Sequence, residues 1–210
     1  MAKVHPSNAG ATNTSRAASV EEERPTVLTV WRKSLLFNCD GFTVFDAKGN
    51  LAFRVDCYAA FRRRAEVVLM DVAGKPLLTV RRKKLSLAEH WVIYDGDGAV
   101  KPLLSVRRRV SLRRASKTLA HVTALSPSGV PAEAYVVEGS YGRRACAVRD
   151  ARGDAVAEVR RKESVGDDVF RLVADPRLGA PLAMGLVIAL DEMFGVGSTR
   201  SFLRRTWSAQ

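Results

Sequence analysis

The sequence predicts a mostly β protein, a closed barrel of about twelve antiparallel strands around one buried hydrophobic C-terminal helix. Three observations lead there. A hairpin signature recurs along the chain, short apolar runs follow one another at near-even spacing, and one segment close to the C-terminus is apolar on every side. The composition of the 210 residues, 47% hydrophobic and 27% charged, is that of a globular chain. It excludes whole-chain disorder, collagen-like structure and coiled coil.

Residues 1–24 are rich in Ala, Ser, Thr and Asn and contain the acidic run Glu21-Glu22-Glu23 ahead of Pro25. They read as a disordered leader, with the domain expected over 25–207. The leader lacks the apolar stretch of a secretory signal and the arginine content of a transit peptide. The hairpin signature then begins. Asp46-Ala47-Lys48-Gly49 leads into Leu51-Ala52-Phe53-Arg54-Val55. Asp71-Val72-Ala73-Gly74 lies between Val67-Val68-Leu69-Met70 and Pro76-Leu77-Leu78-Thr79-Val80. Asp150-Ala151-Arg152-Gly153 lies between Cys146-Ala147-Val148 and Ala155-Val156-Ala157-Glu158-Val159. In each copy the closing valine (Val55, Val80 or Val159) stands nine residues after the aspartate. A looser copy runs from Trp91-Val92-Ile93-Tyr94 through Asp95-Gly96-Asp97-Gly98 to Pro102-Leu103-Leu104-Ser105-Val106. An aspartate that caps its own turn, followed by a glycine able to take positive φ, makes D-x-x-G between apolar runs a β-hairpin connection.

Residues 27–31, 120–124, 134–137 and 170–173 supply further strands. Even spacing of this kind favours a sandwich or barrel over a βαβ fold, and a period of about 25 residues is too short for a propeller blade. A barrel also removes exposed strand edges. Residues 181–194 break the pattern, being apolar on every side until Asp191. Pro181 suits a first helical turn. A helix apolar all round belongs in a core or a bilayer, and this apolar stretch is about half of the roughly 20 residues that a span requires. A twelve-stranded barrel is too wide for its own side chains to fill, so a helix over about 181–194 is predicted to plug it.

The charge narrows the partners. With 34 Lys and Arg against 22 Asp and Glu, the net charge is +12, which favours polyanions such as nucleic acid or an anionic membrane face. More than half of the cations fall in clusters: Arg62-Arg63-Arg64, Arg81-Arg82-Lys83-Lys84, Arg107-Arg108-Arg109, Arg113-Arg114, Arg143-Arg144, Arg160-Arg161-Lys162 and Arg204-Arg205. Three of these close the strands that leave the repeated turns. Equal spacing from turn to cluster puts Arg81, Arg82, Lys83, Lys84, Arg107, Arg108, Arg109, Arg160, Arg161 and Lys162 at one rim, provided the hairpins run in the same sense. Alternation along a strand then points one member of each pair inward, and it must reach solvent at the rim. These ten residues are the candidate site for anionic lipid, where each cation is worth about 1 kcal/mol near a charged leaflet. The competing reading is that they only solubilise the strand ends. Nucleic acid is the rival partner, but aromatics are 7% and no helix-turn-helix, zinc-finger or RNA-recognition signature is present.

Catalytic constellations are absent from the sequence. His5, His90 and His121 fit no metal-ligand spacing. Asp95-Gly96-Asp97-Gly98 lacks the later glutamate of a calcium loop, and Gly195-Val196-Gly197 follows a helix, where a phosphate loop would precede one. Cys39, Cys57 and Cys146 form no CxxC and have no nearby histidine, which fits a reducing compartment. No catalytic residue, metal or cofactor is expected.

Several spaced blocks carry a family resemblance: Leu28-Thr29-Val30-Trp31-Arg32-Lys33-Ser34-Leu35, Asp40-Gly41-Phe42-Thr43-Val44-Phe45-Asp46, Gly49-Asn50-Leu51-Ala52-Phe53-Arg54-Val55-Asp56, Leu69-Met70-Asp71 and Gly74-Lys75-Pro76-Leu77-Leu78-Thr79. In order and content they resemble the LURP-one-related family of plants, grouped with the tubby C-terminal domain and the phospholipid scramblases. The resemblance covers nearly all of residues 25–207. It implies a twelve-stranded barrel wrapped around one hydrophobic C-terminal helix, membrane tethering through phosphoinositides and a role in transcription. Residues and resemblance together lead us to expect a monomeric, non-enzymatic binding module at the cytoplasmic face of a membrane. A nuclear, transcription-associated regulator is the alternative. An enzyme or lipid scramblase comes a distant third; scrambling needs an inserted element, and only residues 182–190 offer one.

Overall fold

In the computed structural model, which describes residues 24–35, 39–58, 66–86, 88–109, 117–125, 131–162, 166 and 168–195, the repeated turns close in one way. Asp46 accepts from the Gly49 amide at 3.1 Å through its carbonyl, and from the Lys48 and Asn50 amides at 2.8 Å through its carboxylate. Asp71 and Asp150 repeat the pattern with Gly74 and Lys75, and with Gly153, Arg152 and Asp154. Gly49, Gly74 and Gly153 take φ of 85°, 86° and 87°, a region that a side chain resists. Just before each aspartate the ladder slips register, at Val44/Phe45, Leu69/Met70 and Val148/Arg149. The looser copy slips at Ile93/Tyr94. One turn chemistry thus fixes the register of three hairpins, and the looser copy shares only the slip.

The strands are β1 (Thr26–Trp31), β2 (Cys39–Phe45), β3 (Leu51–Tyr58), β4 (Glu66–Met70), β5 (Pro76–Arg82), β6 (His90–Asp95), β7 (Pro102–Arg108), β8 (Thr118–Leu125), β9 (Pro131–Ser140), β10 (Ala145–Arg149), β11 (Ala155–Arg161) and β12 (Val169–Ala174). Each pairs antiparallel with the next, and β12 closes on β1 with Val30 opposite Phe170. The result is an up-and-down closed barrel. Alternate residues point inward: Val55, Val80 and Val159, the closing valines of the repeat, are all buried.

The helix α1 (Ala180–Phe194) runs through the barrel, one residue longer at its start than the sequence predicts. Its apolar side chains face β strands all round, with Ala183 through Leu190 and Met193 buried. Gly185 sets the closest approach. A Cβ there would lie 3.2 Å from Leu78 Cδ1 and 3.3 Å from two carbons of Ile93. A gap of about 10 Å³ between α1 and β10–β12, beside Cys146, has room for one water and not for a ligand. Residues 1–23 of the predicted 1–24 leader and the clusters at 62–64, 113–114 and 204–205 lie outside the described residues.

Candidate anion-binding rim

Odd-numbered strands run toward one rim and even-numbered strands return from it, so the ends of β5, β7 and β11 meet there. All three predicted clusters therefore share the rim opposite the D-x-x-G turns. Arg82, Arg108 and Arg161 have the parity of the buried Val80, Val106 and Val159, and Arg81, Arg107 and Arg160 the outward one.

Their environments differ. Arg81 Nε donates to Glu66 Oε2, its cross-strand neighbour, at 2.6 Å. Arg160 Nε donates to Glu158 Oε2 at 2.6 Å. Arg108 turns into the mouth of the barrel, where Nη1 pairs with Glu89 and donates to the Met193 carbonyl at 2.8 Å. Its guanidinium also lies 4.5 Å from the centre of the Phe194 ring. These three arginines are occupied by the fold. Arg161 is exposed. Among the described residues, no carboxylate lies within ion-pair distance of Arg82, Lys83, Lys84, Arg107, Arg109 or Lys162. Apart from half-buried Lys162, these six are exposed.

A second cluster, which the sequence reading did not identify, holds the exit of α1. Arg32 Nε lies 3.1 Å from both carboxylate oxygens of Asp191, and the Tyr141 hydroxyl donates to Oδ1 at 3.2 Å. Arg144, 6% exposed and at φ 53°, approaches Oδ1 to 4.0 Å and lies 4.5 and 4.3 Å from the centres of the Tyr141 and Phe170 rings. Burial, reinforced by the Asp191 charge, pushes the Tyr141 hydroxyl well above its ordinary range. Burial works against the charged form of Arg32, but the charge and hydrogen bond of Asp191 outweigh it and raise its pKa. The one signal in the sequence was Asp191 itself, the residue that ends the apolar run of the helix.

His90 is buried, with Nε2 2.7 Å from Ser105 Oγ. Burial, with Arg107 and Lys83 nearby, lowers its pKa, so the ring is neutral at physiological pH. Burial pushes the Cys146 thiol up to about 12, which leaves an inert core residue. Asp95 is paired with Lys101 Nζ at 2.9 Å. Among the described residues no group of His, Cys, Asp or Glu could hold a metal ion, and no helix is long and apolar enough to cross a membrane.

These features define a class: an up-and-down twelve-stranded barrel plugged by its own helix, with cations gathered where the plug emerges. Residues 26–191 match the family model described as LURP-one-related. The Arabidopsis thaliana protein LURP-one-related 8 is 44% identical over 202 residues, covering 92% of this chain and 98% of that protein. LURP-one-related 5 of the same plant is 43% identical and covers 83% and 85%. The chain belongs to the LURP-one-related family. A solved Arabidopsis thaliana structure shares the fold, with a TM-score of 0.57 and 24% identity over 80% of this chain and 91% of that one.

Proposed function

We propose that the chain is a non-enzymatic binding module whose cationic rim recognises phosphoinositide or another anionic membrane surface and tethers the protein at its cytoplasmic face. One observation carries this reading: Arg82, Lys83, Lys84, Arg107, Arg109 and Lys162 gather at one rim with no carboxylate among the described residues to neutralise them. Each such cation is worth about 1 kcal/mol at an anionic leaflet, so several together hold a protein reversibly and in a salt-dependent manner. The resemblance to tubby-like and scramblase proteins points to the same ligand chemistry.

Co-sedimentation with phosphatidylcholine vesicles, with and without phosphatidylinositol bisphosphate, tests the reading. The chain is expected to bind only the phosphoinositide vesicles. A variant carrying Arg82→Gln, Lys84→Gln, Arg107→Gln and Arg109→Gln is expected to lose at least about tenfold. Equal binding of variant and parent would reject the rim. The exposed Lys83-Lys84 pair also suits a nuclear import signal. A fluorescent fusion that stays nuclear after phosphoinositide depletion would favour that second reading.

A further inference from the structure

We infer that the rim docks end-on, with Leu85, Leu35 and Trp31 entering the boundary between lipid headgroups and acyl chains. This rests on the membrane reading above. Leu85 is 99% exposed and directly follows Lys83 and Lys84; Leu35 is 53% and Trp31 38% exposed. A leucine in full contact with water contributes no burial to the fold, and would gain by entering an apolar phase. Both sites belong to the cationic rim. Trp31 ends β1 and Leu35 follows it, while Leu85 follows β5. Four interstrand spacings separate these strands, about 19 Å along the barrel wall. Two apolar contacts that far apart, on one end of a rigid barrel, fix its tilt along the line that joins them.

Each apolar point has its own cation. Lys33 Nζ lies 5.5 Å from the centre of the Trp31 ring, and Lys83 and Lys84 directly precede Leu85. Shallow apolar insertion combined with basic residues is the pair of signals that stable peripheral binding requires. Val72 and Val100 are also exposed, but they sit on the turn rim, where Asp71, Asp95 and Asp97 offset Lys75 and Lys101, so no surplus of positive charge draws an anionic leaflet there. Charge complementarity therefore selects the cationic rim, and a lipid surface as its occupant.

The test uses the full chain and vesicles of four parts phosphatidylcholine to one part phosphatidylserine. Leu85→Ser and Leu35→Ser should each weaken binding about fivefold without changing its salt dependence. Lys84→Gln should lower the salt dependence, and Val100→Ser should change neither. If Leu85→Ser and Leu35→Ser bind like the parent while Lys84→Gln is weakened, insertion is overturned and the cationic rim stands. If the parent binds no anionic vesicle, both readings fall together. If Leu85→Ser weakens binding to a short DNA duplex as much as to vesicles, the lipid surface is the wrong occupant.

Discussion

At position 191 a carboxylate ends the apolar run of α1, and Arg32, Tyr141 and Arg144 converge on it from two parts of the chain, the end of β1 and the turn between β9 and β10. Removing that charge while keeping its shape takes the carboxylate from Arg32, which it holds at 3.1 Å, and removes a negative charge from beside the buried Arg144 guanidinium. Loss of one partner from a buried ion pair is costly, and the partial exposure of Arg32 moderates the effect. Asp191→Asn is expected to destabilise the fold by about 3 kcal/mol. In urea unfolding the midpoint should fall with little change of slope. His90 gives a second prediction at this scale. Its folded pKa lies below the ordinary histidine value of 6.5, so on acidification the unfolded chain takes up a proton before the folded one. The stability contribution of His90 is therefore fully present above about pH 6.5 and is lost as pH falls toward the folded pKa. Ser105, Arg107 and Lys83 are the groups that surround the ring. Melting temperatures measured from pH 7.5 to 5 should drop in the parent and drop less in His90→Gln. Parallel curves would remove His90 from the account.

Among the elements, the hairpins were legible in the sequence because their determinants are local. An aspartate, a glycine three residues on and a valine nine residues on encode turn, register slip and inward parity within one short segment. The helix was legible for the same reason, as its apolar surface is continuous. The lock at Asp191 was not, because Arg32 is 159 residues away from it and meets it only once β12 has closed on β1. Nor could the sequence separate Arg108, which is drawn inward to the Met193 carbonyl, from Arg107 beside it. Both stand in one basic run, and only the presence of the helix end decides between them. The helix has no basic residue of its own in its last turn, so Arg108 supplies from the barrel the cation that a helix C-terminus favours. How closely helix and barrel are matched can be tested at Gly185. Leucine there would drive a branched side chain into Leu78 and Ile93, which a Cβ alone would already touch at 3.2–3.3 Å. Overpacking of this kind costs about 1–3 kcal/mol, and the gain in helix propensity over glycine returns only about 1 kcal/mol. Gly185→Leu should therefore lower the denaturation midpoint. A midpoint equal to or above the parent would mean that the helix sits more loosely than its contacts indicate.

Across the whole molecule, charge is sorted along the barrel axis. The turn rim carries Asp46, Asp71, Asp95, Asp97, Asp150, Asp154 and Asp175, nearly balanced by Lys48, Lys75, Lys101, Arg149, Arg152 and Arg177, while the opposite rim carries the basic strand ends. Hydrogen bonds from Asn50 to Asp46 and from Arg177 to Asp175 lower the pKa of both carboxyls, so both stay ionised. The helix leaves at the basic rim, so its negative C-terminus faces the opposite charge. A body whose unbalanced cations gather at one end meets an anionic surface with that end. Net charge alone predicts something different. Two variants with the same net charge separate the accounts: Lys83→Gln, Lys84→Gln, Arg107→Gln and Arg109→Gln at the strand ends, against Lys48→Gln, Lys75→Gln, Lys101→Gln and Arg152→Gln at the turns. If polarity governs, the first set should weaken adsorption to phosphatidylserine vesicles by at least about tenfold while the second changes it less than about twofold. If the two sets weaken it equally, attraction follows the total charge, and the cationic rim has no privileged role. Performed near physiological ionic strength, where screening reaches about 8 Å, the comparison sees mainly the charges nearest the surface. That makes it a direct reading of which end of the barrel faces the lipid.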